Sequence, residues 1–259
     1  MNWFESMVLG LIQGLTEFLP VSSSGHLEIA KSLFGINPES SFYFTVAVHG
    51  ATVLSTLVVF WNEIVRLTKG ALRFKMNEET SYVLKLFISM IPVGIAGILL
   101  KDPIEKMFSG NIVFVGLMLL ITAALLAVAH FIKKRDRDIG YIDALIIGIA
   151  QAIAVIPGIS RSGATISTGL MIGNKKEEIA KFSFLMVLVP VIGANLLEIF
   201  SGEVTTSTTG VGVIIIGFIT AFVSGYLACR WMIELVKRSK LIWFSIYCTI
   251  VGLLSVLLG

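Results

Sequence analysis

The stretch FLPVSSSGHL, residues 18–27, places a proline, three serines, a glycine and a histidine inside an apolar N-terminal segment. The whole segment, about residues 3–35, is apolar enough to enter a membrane, but the polar stretch divides it into two halves. A helix that crosses the hydrocarbon core needs roughly 20 mainly apolar residues, and neither half is that long. The sequence therefore predicts a re-entrant helix pair with the polar stretch at its tip.

The composition of the chain is that of an integral membrane protein. Of the 259 residues, 56% are hydrophobic and only 14% are charged, and the mean hydropathy is +0.90, which lies far outside the range of soluble domains. The net charge of +3 is too small to argue for a nucleic-acid partner. The N-terminus lacks a basic leader and a small-residue cleavage site, so we expect it to stay in the mature fold. We expect one polytopic domain over residues 1–259.

Six other apolar segments are uninterrupted and long enough to span a bilayer. A second broken segment covers about residues 141–173, and the stretch IPGISRSGAT, residues 156–165, interrupts it. We therefore expect an all-α integral membrane protein with six transmembrane helices plus two re-entrant helix pairs. The six spans are predicted at about residues 42–61, 81–100, 111–132, 178–200, 210–236 and 241–258.

The distribution of Lys and Arg predicts which side of the membrane each loop occupies. Short cytoplasmic loops collect positive charge, and basic residues cluster in four segments that we place in the cytoplasm. The opposite loops hold only Lys101 and Lys106 or, in residues 201–210, no basic residue. The first broken segment then enters from the outer face and the second from the inner face, so their tips point at each other. The four basic segments are residues 62–80, 133–140, 175–181 and 237–240.

An internal repeat agrees with this topology. Each half, about residues 1–135 and 139–259, has three spans, and an odd number turns the second copy upside down. Inverted-topology repeats with sites near the bilayer midplane are a known membrane architecture. An offset of 138 aligns Gly10, Gln13, Ser22, Ser24, Gly25 and Gly35 with Gly148, Gln151, Ser160, Ser162, Gly163 and Gly173.

The two tips have the chemistry of an anion site. Ser22–Gly25 and Ser160–Gly163 each follow a proline and begin a short helix, so each offers serine caps and unpaired backbone N–H groups at the positive end of a helix dipole. Two such ends that converge would bind an anion, and phosphate is the natural one.

Charged side chains near the tips extend this prediction to phosphoryl transfer. Arg161 lies within the second tip, and a charge at that depth is costly unless an anion pairs with it. A guanidinium group also binds phosphate in a bidentate way. Glu17 is the candidate partner, and it shares a helix face with Gln13 four residues earlier. Together with the serines and His26, these groups suit a divalent cation, an activated nucleophile and phosphoryl transfer.

Structural roles stand beside the functional ones. Glu17 and Arg161 also fit a structural ion pair, and the serines also fit caps that satisfy freed backbone groups. His26 also fits a helix-start residue whose hydrogen bonds are satisfied. His49 lies inside a predicted span and outside both motifs, which favours a hydrogen bond between helices.

The two polar stretches resemble the signature motifs of a known family. QGLTEFLPVSSSGH, residues 13–26, and PGISRSGATIS, residues 157–167, are similar to the two motifs of the undecaprenyl-diphosphatase family, also called bacitracin-resistance proteins. The likeness covers essentially the whole chain, including VVFW at 58–61 and KFSFL at 181–185. One departure is Gln13 at the first acidic position of the Glu-x-x-x-Glu form, a variant that the family pattern also admits. Its amide oxygen can coordinate a metal, but an amide cannot act as a base.

The resemblance implies hydrolysis of the C55 isoprenoid carrier diphosphate to its monophosphate, which recycles the carrier for cell-wall synthesis and gives bacitracin resistance. It implies a bacterial inner-membrane location, an active site open to the outer face and a divalent cation such as Mg²⁺ or Ca²⁺. The catalytic candidates are Glu17, Ser23, His26 and Arg161, and the metal candidates are Glu17 and Gln13. The substrate-binding candidates, from the motifs and the two tips, are Gln13, Ser22, Ser24, Gly25, Ser160, Ser162, Gly163 and Thr165.

The order of chemical events stays open at this point. In our hypothesis the diphosphate enters between the two tips, and the prenyl chain lies in a lateral apolar groove. The attacking group is Ser23, His26 or a water activated by His26. The rival hypothesis is a transporter or flippase of a phosphorylated prenyl lipid carrier, since broken helices in inverted repeats are typical of alternating access. The lipid diphosphate is the expected partner, and dimerisation is left open.

Overall fold

The computed structural model of the chain describes residues 1–36, 42–100, 103, 107, 111–132, 136–200, 210–238 and 240–259, without the side chains of residues 42 and 198–200. Over these residues the chain forms eleven helices and no β-strand, as an all-α membrane fold requires. The helices are α1 (Trp3–Phe18), α2 (Ser23–Leu33), α3 (Phe42–Val59), α4 (Trp61–Ala71), α5 (Glu78–Leu99), α6 (Ile112–Phe131), α7 (Tyr141–Ile153), α8 (Arg161–Met171), α9 (Lys176–Phe200), α10 (Val211–Lys237) and α11 (Leu241–Leu258).

The predicted spans are present as long apolar helices. Within the described residues, α5, α6, α9, α10 and α11 are each long and apolar enough to cross a membrane. The bent pair of α3 and α4 passes the same test as a unit, which brings the candidate spans to six. The chain is therefore a multi-pass membrane protein.

The prediction of a loop over residues 62–80 is wrong, because α4 occupies its first half. The backbone at Phe60, with φ of −101° and ψ of 15°, ends α3, and α4 leaves it at an angle of 72°. Leu67 and Gly70 are buried while the basic side chains of α4 are exposed, a pattern typical of an amphipathic helix. A Cβ at Gly70 would lie 2.3 Å from Glu79 Cβ, so α4 packs directly on α5.

Both broken segments are interrupted where the sequence predicts. α1 and α2 are separated by residues 19–22, and α7 and α8 by residues 154–160. α2 and α8 are eleven residues long and begin 138 residues apart, the offset of the sequence repeat. α1 packs on α10 and α7 packs on α5, which are matching contacts in a two-copy arrangement. The division into halves near residue 135 stays a prediction.

Some topology markers lie outside the described residues. These are Lys101, Lys106, Lys133, Lys134, Arg135 and residues 201–209.

Small residues let the paired helices approach closely. A Cβ at Gly10 would lie 2.5 Å from the carbonyl oxygen of Gly217, and one at Gly148 would lie 2.3 Å from that of Ser89. Small residues at helix contacts are the usual means of packing in a membrane, where apolar side chains gain little by leaving lipid. These contacts hold α1 and α7, the helices that lead into the two breaks.

Replacing Gly10 with alanine is expected to destabilise the fold by about 1–3 kcal/mol, because the new methyl group meets backbone that cannot move without shifting α10. Thermal unfolding in detergent measures the effect. Gly97→Ala is the matched control, since a Cβ there meets nothing within 4 Å. Equal unfolding midpoints for the two variants would contradict the close approach of α1 and α10.

Candidate active site

The last turn of α1 presents an amide and a carboxylate on one face. Gln13 and Glu17 are four residues apart, and Gln13 Nε2 donates to Glu17 Oε2 at 3.0 Å. α1 ends at Phe18 because Pro20 follows, and the residue before a proline disfavours the helical conformation. The carboxylate therefore lies next to the break, with its side chain 11% exposed.

The start of α2 brings a serine hydroxyl onto this carboxylate. Ser22 is the N-cap of α2, and its Oγ accepts from the Gly25 N–H at 3.3 Å. Its φ of +69° is unusual for a residue other than glycine and marks local strain of the kind found at functional sites. This turn directs Ser23, the first residue of α2, toward Glu17, and Ser23 Oγ donates to Glu17 Oε2 at 2.5 Å.

The start of α8 completes the cluster from the other half of the chain. Ser160 caps α8, and its Oγ accepts from the Gly163 N–H at 3.0 Å. Arg161 is the first residue of the helix, and its Nη2 donates to Glu17 Oε1 at 2.5 Å. Ser162 Oγ adds a second link by donating to the Leu19 carbonyl at 3.3 Å. The two breaks therefore meet, and the Arg161 side chain keeps 29% exposure.

Other candidate residues support the two helix starts. Ser24 Oγ lies 3.4 Å from Ser22 Oγ. Gly25 and Gly163 are buried where a side chain would crowd the tips, since a Cβ at Gly25 would lie 3.3 Å from Gly158 Cα of the other break. Thr165 is turned inward: its hydroxyl donates to the Arg161 carbonyl at 2.8 Å and lies 2.5 Å from Ser183 Oγ on α9.

His26 is held away from the carboxylate. Its Nδ1 lies 2.8 Å from the Ser22 carbonyl oxygen, and its Nε2 lies 2.8 Å from the hydroxyl of Tyr247 on α11. The two rings are stacked, with centroids 5.5 Å apart and planes 11° apart. Both ring nitrogens are thus engaged with groups other than Glu17, Ser23 and Arg161.

Sequence reasoning missed three residues that support the site. Thr122 on α6 accepts a hydrogen bond from the Ser160 N–H at 3.0 Å. Ser183 contacts Thr165, and Tyr247 contacts His26. Each is a polar residue inside an apolar span, which is a signal of interhelical contact. That signal does not identify the partner, because the partner lies on a helix distant in sequence.

His49 makes a local contact in place of the expected bond between helices. Its Nδ1 lies 2.9 Å from the Thr45 carbonyl of the same helix. Within the described part of the chain its ring makes no hydrogen bond to Glu17, Ser23 or Arg161.

The oxygen donors at the site fit a hard divalent cation that also binds phosphate. Gln13 is fully buried, and its Oε1 has no hydrogen-bond partner among the described residues. This oxygen and the Glu17 carboxylate are ligands of the kind that Mg²⁺ and Ca²⁺ prefer. Within the same residues no group of three His, Cys, Asp or Glu could hold a metal. The described residues thus supply an amide oxygen and a carboxylate, which is not a complete ligand shell for either cation.

A small cavity opens beside Glu17 between α1, α3 and α9. Its polar lining residues are Glu17, Thr52 and Thr56, and apolar residues of α1, α3 and α9 form the rest of its wall. The site therefore continues into an apolar space at the level of the carboxylate.

Comparison with known proteins identifies the family. The family described as "Bacitracin resistance protein BacA" matches residues 6–254. A protein named Undecaprenyl-diphosphatase from Bacteroides fragilis is 53% identical over 263 residues, which cover 100% of this chain and 99% of the relative. One of the same name from Bacteroides thetaiotaomicron is 54% identical, with 98% and 97% covered. Another, from Methanosphaera stadtmanae, is 38% identical, again with 98% and 97% covered.

These matches agree with the resemblance of the two motifs, and they extend across both breaks and all the helices described above. The chain belongs to the bacitracin resistance protein BacA family.

Proposed function

We propose that this protein hydrolyses undecaprenyl diphosphate to undecaprenyl monophosphate and inorganic phosphate, which recycles the lipid carrier for cell-wall synthesis and gives bacitracin resistance. The names of its relatives support this activity. The observation that carries it is the single cluster in which Glu17 accepts from Arg161 of one break and Ser23 of the other.

The substrate diphosphate binds between the first turns of α2 and α8. Backbone N–H groups in the first turn of a helix have no intrahelical acceptor, and the helix dipole favours an anion there. Arg161 donates through one guanidinium nitrogen to Glu17, and its remaining N–H groups are suited to the phosphate oxygens. Ser22 and Ser160 shape the two turns as caps.

Ser23 is the favoured nucleophile among the three attacking groups that the sequence left open. Its hydroxyl proton already points to the Glu17 carboxylate at 2.5 Å, while Nε2 of His26 faces Tyr247. Ser23 Oγ bonds to the terminal phosphorus as its proton passes to Glu17. The bridging P–O bond breaks, and undecaprenyl phosphate leaves with the electron pair. Water then attacks the phosphorus of the phosphoserine, and Ser23 Oγ leaves and takes back the proton held by Glu17, which releases phosphate and restores both the hydroxyl and the carboxylate.

A divalent cation, Mg²⁺ or Ca²⁺, is proposed to be held by Glu17 and Gln13 together with phosphate oxygens. When bound, it would neutralise charge on the phosphates. Support for this comes from the buried Gln13 Oε1, which has no partner among the described residues.

The location is proposed to be the bacterial inner membrane, with the site open to the outer face. Support for this orientation comes from the basic segments of the sequence. The prenyl chain is proposed to leave the site through the apolar cavity beside Glu17. Formation of a homodimer stays open, as it was from the sequence.

The proposed function is tested by phosphate release from undecaprenyl diphosphate with purified protein in detergent. Turnover that yields the monophosphate supports a phosphatase. Binding of the lipid without release of phosphate would refute the proposal and favour a transporter of the phosphorylated carrier.

Metal removal is expected to stop turnover. A chelator should abolish phosphate release, and Gln13→Ala should raise the Mg²⁺ or Ca²⁺ concentration for half-maximal rate about tenfold or more, because a metal ligand is lost. Gln13→Glu keeps an oxygen donor and is the matched control, with a cation requirement no higher than that of the wild type. Full activity in excess chelator would exclude the metal role.

A further inference from the structure

Tyr247 lies outside both motifs and makes a directed contact with a candidate site residue. It lies on α11, 221 residues from His26 along the chain. Its hydroxyl is 2.8 Å from His26 Nε2, and its ring stacks on the imidazole. The contact therefore combines a directed hydrogen bond with a parallel ring face.

The contacts of His26 define its tautomer. The Ser22 carbonyl oxygen can only accept, so Nδ1, at 2.8 Å, carries a proton and donates it. In the neutral ring Nε2 then has the lone pair, and the Tyr247 hydroxyl donates to it. The Ser22 carbonyl thus selects the Nδ1–H form, and the Tyr247 hydroxyl and ring hold the plane of the imidazole.

His26 passes this restraint to the strained turn. The Ser22 carbonyl accepts the backbone N–H of His26 at 3.1 Å as well as its Nδ1–H. Ser22 is the residue with a φ of +69°, and the next residue is Ser23, whose hydroxyl meets Glu17. Strain of this kind persists only when surrounding contacts hold it.

α11 is itself anchored to the same break. Cys248, the neighbour of Tyr247, is fully buried, and its Sγ lies 3.8 Å from the Pro20 carbonyl. Gly252 approaches α6 closely, because a Cβ there would lie 2.9 Å from the Gly116 carbonyl oxygen. Tyr247 is therefore presented from a helix that packs against the break and against α6.

We propose that Tyr247 is a positioning residue for phosphoryl transfer, which acts through His26 and the Ser22 turn to hold Ser23 on Glu17. This role rests on the proposed function, in which Ser23 attacks the diphosphate. Tyr247 makes no contact with the phosphate in this proposal, so its loss should change the rate more than substrate binding.

The test is a double-mutant cycle in the phosphate-release assay. Tyr247→Phe keeps the ring and removes only the hydroxyl, and we expect kcat to fall about tenfold, as for one hydrogen bond, with little change in KM. In a His26→Gln background the same change should have almost no effect, because the two residues act in series. Tyr226→Phe is the matched control: that hydroxyl also has one hydrogen bond, from Arg230, and kcat should not change.

Two results would overturn the inference: unchanged kcat in Tyr247→Phe, or an equal loss with and without His26. A wild type that releases no phosphate would instead refute the proposed function.

A second measurement, ¹⁵N spectra of the imidazole rings, does not need activity. The chain has three histidines, few enough for such spectra to resolve. The two signals lost in His26→Gln belong to the ring nitrogens of His26, and the one without a bonded proton, Nε2, should shift in Tyr247→Phe. An unshifted signal would also overturn the inference.

Discussion

Replacing Arg161 with alanine is expected to lower kcat/KM for phosphate release by at least about a thousandfold. The Arg161 guanidinium is the cationic group of this cluster. Arginines that stabilise a transferring phosphoryl group typically raise kcat a thousandfold or more. Its ion pair with Glu17 places it at the junction of α1, α2 and α8. The measurement is steady-state phosphate release by the purified variant.

Loss of Arg161 also leaves the Glu17 carboxylate buried without its cation, which in proteins destabilises by about 3–5 kcal/mol. The double variant Glu17→Gln with Arg161→Met removes both charges, so it should unfold closer to the wild-type temperature than Arg161→Ala and still be inactive. Arg137→Ala is the matched control, because Arg137, whose side chain is 54% exposed, forms an ion pair with Asp143 at 3.1 Å, away from the cluster. Near-normal turnover by Arg161→Ala would remove the assignment.

Replacing Ser23 with alanine is expected to reduce kcat by about 10⁴-fold or more, because the attacking oxygen is lost while the phosphate-binding groups remain. KM should change little. Wild-type protein quenched in acid during turnover should carry a phosphoryl group on Ser23, which mass spectrometry detects. The Glu17→Gln variant should form this phosphoserine much more slowly, because no carboxylate is present to take the proton.

Ser32→Ala is the matched control for Ser23, since Ser32 lies on the same helix, near its exposed end. It should retain wild-type kcat. If Ser23→Ala stays active and the wild-type protein carries no phosphoserine, the attack belongs to water. The short Ser23–Glu17 contact would then not be a catalytic one.

The candidate site was largely predictable from sequence because its polar residues stand out in an apolar chain. Pro20 and Pro157 with the serines that follow indicate helix breaks, and both breaks occur there. The need of Arg161 for an anionic partner pointed to Glu17, and the two side chains form an ion pair. An unpaired charge in a low-dielectric region is costly, so the residue types alone were enough to infer this ion pair.

Other features could not be read from the sequence. The charges of residues 62–80 predict a solvent-exposed loop, whereas α4 forms there and exposes only one of its faces. The choice among Ser23, His26 and water needed the direction of each side chain. His26 and Ser23 are neighbours on one helix, yet one meets Tyr247 and the other meets Glu17.

The amino-acid sequence by itself determined the membrane class, the positions of the two breaks and the residue types that meet there, because hydrophobicity, proline geometry and the cost of a buried charge act locally. The tertiary structure alone decided which hydroxyl faces the carboxylate and that a tyrosine from the last helix holds the histidine. Those contacts depend on how α1, α2, α8 and α11 pack in three dimensions, and residues more than a hundred positions apart carry no local signal of their meeting.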